Sequence, residues 1–219
     1  MKRKTIMTLS AALLAAAMMT GSVMAEEAAD TCKSYLTGET VSTEIGRQRP
    51  IAMMFNNIYD AIPQYGIENC GVVYEAPVEG YITRLMGIME DYQSADRIGS
   101  VRSCRNYFIY FAREFNSIYC HYGQAVYAEP ILNLPTTNNL SGLSDIGDIV
   151  YYRSDDRVSP HNVFTNYQMI QDGIDAMDYS RDYAPLYTGH YQFAEDGETV
   201  TLDGGQDALV VMPGYTYNH

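Results

Sequence analysis

Short strand-like runs recur through residues 51–122, and this recurrence constrains the fold more than any other feature of the chain. Residues 51–55, 71–76 and 82–90 are apolar or β-branched runs of strand length, and residues 117–122 form another. A short connection around Glu79 separates the second run from the third. Such a connection predicts an antiparallel hairpin.

Helical patterns lie between and after these runs. Apolar side chains recur at helical spacing up to Phe115, and Ser100 or Ser103 would cap the start of that helix. A short helix is predicted at 124–132, disturbed by a proline, and an amphipathic helix at 166–177. Helices that alternate with strands predict an α/β fold of α+β character, in which helices pack on a mixed β-sheet.

The remaining segments are predicted from their turn residues. Residues 134–147 are rich in Pro, Asn, Ser and Gly and are predicted to form a loop, with a strand at 149–153. Polar residues 26–48 lack periodicity and are interpreted as a leader to the domain. A strand-rich C-terminal tail is predicted from short apolar runs at 191–194, 199–202 and 208–212.

The N-terminus carries an export pattern. Three basic residues at 2–4 precede a mostly apolar stretch at 6–19, and Ala25 offers a small residue for cleavage before Glu26. This pattern is typical of a secretory signal peptide over residues 1–25, and the apolar stretch falls short of the roughly 18 residues that span a bilayer. We therefore expect a secreted, extracytoplasmic protein of the cell envelope, without a transmembrane segment in the mature chain.

The charge balance excludes one class of partner. The chain has 14 Lys plus Arg against 27 Asp plus Glu. Loss of the signal segment would leave 11 basic against 27 acidic side chains, a net charge of −16, with Lys33 as the sole lysine. Nucleic-acid binding requires many basic contacts to phosphates, so nucleic acid is not expected as a partner.

The four cysteines leave two interpretations open. Two disulfides among them would allow three pairings, and Cys104 in a helix would lie near Cys120 in the following strand. Alternatively, the thiols are buried and free. No C-x-x-C spacing occurs, so neither a zinc site nor a thioredoxin-type site is predicted. The four positions are Cys32, Cys70, Cys104 and Cys120.

Arginines ahead of the first long helix suggest an anion site. If Ser100 caps that helix, Arg102 and Arg105 lie in its first turns, where guanidinium and backbone N–H groups both attract phosphate or carboxylate. Internal pairing with Glu75 or Glu79 is the structural alternative. The predicted binding residues are Arg84, Arg102, Ser103, Arg105, His161 and Asn162.

Acidic and histidine side chains suggest catalysis as a competing hypothesis. Glu75 and Glu79 could form the carboxylate pair of a glycoside hydrolase. His121 could act as a general base with Ser103 as its nucleophile, although no nucleophile-elbow pattern surrounds the serine. The catalytic candidates are therefore Glu75, Glu79 and His121.

A metal site has weaker support in the sequence. His121 and His161 could bind an ion together with Asp155 or Asp156, but no pair of histidines has the spacing of a helical metal motif. In the structural alternative, both histidines pin loops through their ring N–H groups. We predict no metal and no cofactor.

An ordered series of short motifs runs through most of the chain. The series is Leu36-Thr37-Gly38, Arg49-Pro50, Asn56-Asn57, Pro63-Gln64 with Gly66, Val73-Tyr74-Glu75, Glu79-Gly80, Thr83-Arg84, Ile98-Gly99, Val101-Arg102-Ser103 with Arg105 and Tyr107-Phe108, Asp156-Arg157 and Pro160-His161-Asn162. In this order it resembles the YerB-like family of lipoprotein-like bacterial proteins, whose core is a domain of unknown function.

The resemblance implies a domain organisation. Residues 49–190 would form the family's N-terminal domain, and residues 191–219 the start of a second, strand-rich domain that is truncated here. Family members usually carry a lipobox cysteine at the cleavage point, whereas this chain has Glu26 there and a polar sequence before Cys32. A lipid anchor is therefore not expected.

Function follows only in outline from these observations. We expect a binding domain for an anionic or sugar-peptide ligand rather than an enzyme. A cell-wall hydrolase of glycoside type, using the paired carboxylates, is one alternative. A protein-interaction module that binds its partner through a Tyr-rich surface is another, since the chain has 20 tyrosines.

Overall fold

The computed structural model describes residues 30–201, 204–205 and 210. The predicted signal segment 1–25 lies outside these residues, and so does most of the predicted strand at 208–212. Residues up to Asp30 form one unit and those from Thr31 onward another, and the fold described below is that of the second.

Ten strands and five helices make up the described part of this unit. The strands are β1 (Thr31–Lys33), β2 (Thr40–Ser42), β3 (Ile51–Asn56), β4 (Val72–Pro77), β5 (Thr83–Met89), β6 (Ile98–Gly99), β7 (Ile118–His121), β8 (Asn139–Ser141), β9 (Tyr152–Arg153) and β10 (Val163–Thr165). The helices are α1 (Thr43–Gly46), α2 (Asn106–Glu114), α3 (Glu129–Leu132), α4 (Gly147–Val150) and α5 (Tyr167–Ala176).

A five-stranded mixed sheet forms the centre of the fold, in the order β4-β5-β3-β7-β8. Strands β4 and β5 form the predicted antiparallel hairpin, and β5 pairs antiparallel with β3. Strands β3, β7 and β8 run parallel. The mixed sheet with packed helices confirms the predicted fold class. Two smaller sheets, β6-β10-β9 and β1-β2, accompany it.

Each face of the central sheet supports its own hydrophobic core. All six residues of β3 are buried, as expected for a strand covered on both faces. Helix α5 covers the first face with Ile170 and Ile174, and helix α2 covers the second with Phe108 and Ala112. Each fully buried large side chain contributes about 1.5–3 kcal/mol relative to exposure. The sheet is therefore a rigid platform between two helical layers.

The predicted start of helix α2 is wrong. Neither Ser100 nor Ser103 caps the helix, which begins at Asn106 with Arg105 as its N-cap residue and no side-chain cap. Residues before the helix instead give their backbone groups to the sheet, since Arg102 N donates to Met54 O over 3.0 Å. A segment that bonds to a strand cannot also make helical bonds. By contrast, Asn166 caps helix α5 close to the predicted position.

Several short elements also differ from expectation. The predicted loop 134–147 contains strand β8, and the predicted strand 149–153 is divided between helix α4 and the two-residue strand β9. The predicted strand at 191–194 is absent, and the described residues 191–201 contain no strand. The supposed leader 26–48 contains the β1–β2 hairpin and helix α1. These elements are too short for periodicity to identify, because two or three residues define no pattern.

All four cysteines are free thiols, and Cys104 is not helical. Alternation along β7 turns Cys120 toward the first core, while Cys104 belongs to the second, so the sheet separates the pair. Burial raises the pKa of both thiols to about 12. The interpretation as buried hydrophobic residues therefore holds for these two, and neither is a thiolate at neutral pH.

Candidate functional site

The carboxyl ends of the three parallel strands meet at one edge of the central sheet, here called the carboxyl edge. Strand β3 ends there at Asn56, β7 at His121 and β8 at Ser141. Because β5 runs in the opposite direction, its second residue, Arg84, lies opposite Asn56 at this edge. In open α/β sheets, ligands bind beyond the carboxyl ends of the strands.

The segment 98–105 crosses this edge and is held there by backbone hydrogen bonds. Arg102 O accepts from Tyr122 N over 3.1 Å, and Cys104 N donates to Gly123 O over 2.9 Å. The segment is therefore fixed to the ends of both β3 and β7. This arrangement, rather than a helix start, brings three arginines together: Arg84, Arg102 and Arg105. We call them the arginine cluster.

Arg84 is buried, with only 4% of its surface exposed. Its Nη1 donates to Ser103 O over 2.6 Å and to Ser103 Oγ over 3.0 Å, but its buried Nε has no acceptor. Burial, together with the nearby charges of Arg105 and Arg102, lowers the pKa of Arg84 to about 10. The guanidinium remains charged at neutral pH, in an environment that disfavours the charge.

Arg102 is similarly short of acceptors. Its Nη1 donates to Pro160 O over 3.2 Å, and its buried Nε has no partner. Burial lowers its pKa, and the neighbouring guanidinium groups of Arg105 and Arg153 contribute to the shift. Among the described residues, neither Arg84 nor Arg102 forms an ion pair with a carboxylate, although the nearby charge of Glu79 partly offsets that of Arg84.

Arg105 does have an acidic partner. Its Nε lies 3.0 and 2.9 Å from the two carboxylate oxygens of Glu79, and its Nη2 donates to the same carboxylate. The remaining nitrogen, Nη1, donates to Cys104 O over 2.7 Å and to Ser103 Oγ over 3.3 Å. The structural alternative of internal pairing with a glutamate thus holds for Arg105, and Ser103 Oγ accepts from two of the three arginines.

The two glutamates do not share one environment. Glu75 Oε1 accepts from Thr83 Oγ1 and, over 3.2 Å, from Asn57 Nδ2. The hydrogen bond from Arg105 holds the pKa of Glu79 at about 2, so this carboxyl is ionised at neutral pH. A general acid must carry a proton at its working pH. Glu79 is therefore poorly suited to protonate a glycosidic oxygen.

The histidines and Asn162 pin loops. His121 is fully buried, its ring nitrogens lie 2.8 Å from Gly123 O and 3.2 Å from Asn139 Oδ1, and burial lowers its pKa. Asn56 Nδ2 donates to His161 Nδ1 over 2.8 Å, which joins the 154–162 loop to the end of β3. Asn162 Oδ1 accepts from Arg153 Nη1 over 2.8 Å, which joins that loop to strand β9. Only His161 lies beside the cluster, where Arg102 helps to lower its pKa.

Several groups at the carboxyl edge were not singled out from the sequence. The Ser100 hydroxyl is buried without a hydrogen-bond partner, and the buried Tyr119 hydroxyl lies close enough to Cys104 and Arg84 to affect the pKa of each. Asn56 closes a predicted strand, so its position could have been a signal. Ser100 was singled out only as a possible helix cap and Tyr119 not at all, because nothing local marks which face of the sheet meets the arginines.

A cavity of about 420 Å³ lies beside the end of β8. It contains none of the predicted site residues. Its polar lining includes Gln124, Glu129, Asn133, Asn139, Ser141, Ser144 and Asp145. The size of this cavity and the charge of the arginine cluster thus indicate two different candidate binding sites. We favour the arginine cluster, because an unpaired buried charge costs more free energy than an unfilled polar cleft.

Metal binding and membrane spanning find no support in the described part of the chain. Residues 30–201 and the few described beyond them contain no group of three or more His, Cys, Asp or Glu side chains that could hold a metal ion. His121 and His161 engage different partners and do not converge. The same residues contain no helix long and apolar enough to cross a bilayer.

The chain matches a known protein family and is similar in fold to a solved protein structure. Residues 36–180 match the family described as the N-terminal domain of a protein of unknown function, DUF3048. The chain is 30% identical over 196 residues to a Bacillus subtilis protein named "Putative lipoprotein YerB", and the match covers 88% of this chain and 59% of that protein. The chain therefore spans somewhat more than half the length of this relative.

The crystal structure of YerB from Bacillus subtilis has a similar fold. The two superpose with a TM-score of 0.64 at 31% sequence identity, over 69% of this chain and 52% of the YerB chain. Residues 36–180, which match the family, include every residue of the carboxyl edge named above.

Proposed function

The chain belongs to the DUF3048 N-terminal domain family, and from the geometry of its carboxyl edge we propose that it is a binding domain for an anionic ligand. The ligand's phosphate or carboxylate group would bind at the arginine cluster. Arg102 and Arg105 would contact this group, and the buried Arg84 would contribute its positive charge without contacting it. Ser103 would orient two of the guanidinium groups.

The observation that carries this proposal is the excess of buried positive charge. Three arginines share one ion-paired carboxylate among the described residues, and the Nε atoms of Arg84 and Arg102 have no acceptor. A buried donor without an acceptor costs about 1–3 kcal/mol, and more when it is charged. A bound anion would offset the positive charge of the cluster and add charge-assisted hydrogen bonds at Arg102 and Arg105.

The composition of the whole chain strengthens the argument. The formal net charge is −13, so a cluster of three arginines is a local exception to an acidic surface. An acidic surface repels non-specific anionic polymers, and a local basic site can then select one. Charge alone would not position the arginines, but the backbone bonds of segment 98–105 fix them to the sheet.

Location and domain organisation are part of the same proposal. The relative from Bacillus subtilis is named as a lipoprotein, which suggests that this chain also acts outside the cytoplasm. The export pattern in residues 1–25 supports this location. We propose residues 49–190 as the ligand-binding domain and residues 191–219 as the start of a second one.

Calorimetric titration of the purified protein with inorganic phosphate and with acetate tests the proposal. We expect at least one of the two anions to bind saturably, with an affinity that weakens as salt is raised from 0.05 to about 0.5 M, because partly exposed charges are screened. Arg102→Ala should remove binding and leave the melting temperature unchanged. Arg113→Ala is the matched control, since it removes the same charge from an exposed side chain whose one contact is a 3.4 Å bond to Thr136.

Two outcomes would contradict the proposal. If Arg102→Ala lowers the melting temperature sharply and Arg113→Ala does not, the cluster is structural. If neither anion binds at low salt, the cluster is not an anion site. Sedimentation with insoluble cell wall extends the test: protein in the pellet without released fragments supports a binding domain, whereas released fragments that vanish with Glu75→Gln would show a hydrolase.

A further inference from the structure

Glu79 occupies the place that a ligand would need. Its carboxylate accepts from Nε and Nη2 of Arg105, which are the two donors of the outward-facing fork of that guanidinium. The inner nitrogen of Arg105 is fixed by Cys104 O at 2.7 Å. An external anion can therefore reach Arg105 only if Glu79 leaves.

The segment that carries Glu79 is suited to moving. Glu79 begins the short 3-10 turn Glu79–Tyr81 between β4 and β5, and no atom lies within 4 Å of the position a Cβ would take at Gly80. The side chain of Glu79 is 70% exposed, while that of Arg105 is only 14% exposed. The glutamate is thus the mobile partner of the pair and the arginine is the fixed one.

We propose that Glu79 is an internal competitor that sets the ligand class of the arginine cluster, excluding monocarboxylates and admitting a phosphoryl dianion. This inference rests on the proposed function. The ligand would carry a terminal phosphoryl group, either as free phosphate or as the monoester of a larger molecule such as a sugar.

A monocarboxylate gains too little to displace Glu79. It offers one charge and two oxygens, which Glu79 already provides. The glutamate is also tethered to the site, so its effective concentration is in the millimolar range or above. A free carboxylate must exceed that concentration before it replaces the glutamate on Arg105.

A phosphoryl group gains more than Glu79 supplies. It carries about 1.5–2 negative charges at neutral pH and three acceptor oxygens. The additional charge acts on Arg84 and Arg102, which lack a carboxylate partner among the described residues. After Glu79 leaves, its carboxylate stays ionised and returns to water, because its side chain is largely exposed already.

Titration of wild type, Glu79→Gln and Asp175→Asn with phosphate, glucose 6-phosphate and acetate tests this inference. Gln keeps the size of the side chain but removes the competing charge. Asp175→Asn is the matched control, because Asp175, which lies on helix α5, also forms an ion pair with an arginine, Arg181, over 2.7 Å. Both variants change the net charge equally.

We expect Glu79→Gln to tighten phosphate binding about two- to fivefold, the factor that an exposed ion pair can oppose. Acetate should bind this variant more tightly than wild type by a similar factor, because the cost of displacing Glu79 is the same for either anion, and it should bind both proteins more weakly than phosphate does. Asp175→Asn should match wild type with every probe. Tighter binding of glucose 6-phosphate than of free phosphate would identify a monoester as the source of the phosphoryl group, and the reverse would identify free phosphate.

Failure of this inference differs from failure of the proposed function. If wild type binds phosphate and acetate equally well, or if Glu79→Gln weakens phosphate binding, the cluster is an anion site but Glu79 does not select its ligand. If neither wild type nor Glu79→Gln binds any of the three probes, both proposals fall. Phosphate binding by Glu79→Gln alone would also overturn this inference, because the wild-type site would then not admit the phosphoryl group.

Discussion

Two buried arginines at opposite edges of the central sheet show how differently the same side chain can be used. Arg49 precedes β3 at the amino edge and is 8% exposed, and Arg84 lies at the carboxyl edge and is 4% exposed. Burial lowers the pKa of both. Neither forms an ion pair with a described carboxylate.

The two arginines differ in their hydrogen bonds. Arg49 donates from all three of its nitrogens to backbone carbonyls, to Asn116 O over 2.7 Å, Ser180 O over 3.0 Å and Ser117 O over 3.4 Å. Arg84 donates from Nη1 to one residue and has an idle, buried Nε. A buried guanidinium with every nitrogen engaged joins parts of the fold, whereas the idle donor of Arg84 beside two further arginines is the feature on which the proposed anion site rests.

Substitution of Arg49 should have the largest effect. We expect Arg49→Met to lower the free energy of unfolding by about 3 kcal/mol, since three carbonyls lose a charged donor at once and the segment around residue 180 loses one of its hydrogen bonds to the start of β3. Urea unfolding followed by circular dichroism measures this. A loss below about 1 kcal/mol would mean that water easily replaces the guanidinium as a hydrogen-bond donor. The structural role of Arg49 would then differ less from that of Arg84 than their hydrogen bonds imply.

The same substitution at the other edge should act on binding instead. Arg84→Met keeps the buried volume and removes an uncompensated charge, so we expect a stability change of about 1 kcal/mol or less. Phosphate binding should fall at least tenfold, because the cluster loses one of three charges. Parallel unfolding and titration of both Met variants provide the measurement. If Arg49→Met and Arg84→Met lower the free energy of unfolding equally, the two arginines do not differ in role as proposed.

The smallest expected effect is the loss, at acidic pH, of the stability that the Glu79–Arg105 ion pair contributes. The pKa of Glu79 falls from its usual 4.5 to about 2 in the folded protein, so its contribution to stability is fully present above pH 4.5. It declines as the pH falls from 4.5 toward 2, and it should amount to less than about 1 kcal/mol because the pair is exposed and screened. The difference in unfolding free energy between wild type and Glu79→Gln, measured from pH 7 to pH 2.5, should shrink accordingly. A difference independent of pH would mean that the pair does not persist in solution.

The candidate residues were found from sequence for a partly wrong reason. Arg102 and Arg105 were expected to meet because a helix would carry both in its first turns, yet the helix begins only at Asn106. They meet Arg84 because segment 98–105 bonds to the ends of β3 and β7. The type and order of these residues were readable, since charged side chains at strand ends favour a binding site. Their partners were not, because long-range contacts leave no local pattern.

Long elements and short ones likewise differ in how well sequence identified them. Strands β3, β4 and β5 and helices α2 and α5 have enough residues for hydrophobic periodicity to reveal them. Strands β6, β8 and β9 have two or three residues each, and they are strands only because a neighbouring segment accepts their hydrogen bonds. Their pairing is a property of the assembled fold.

The sequence by itself determined the class of fold, the hairpin, the two main helices and the set of arginines, because periodicity and residue type are local properties. Tertiary structure alone decided that Arg49 is satisfied and Arg84 is not, and that Glu79 pairs with Arg105 while Glu75 bonds to Thr83. These outcomes depend on which backbone carbonyl or side chain lies within about 3 Å of each donor. Residues far apart in the chain set that distance, so only the folded chain fixes it.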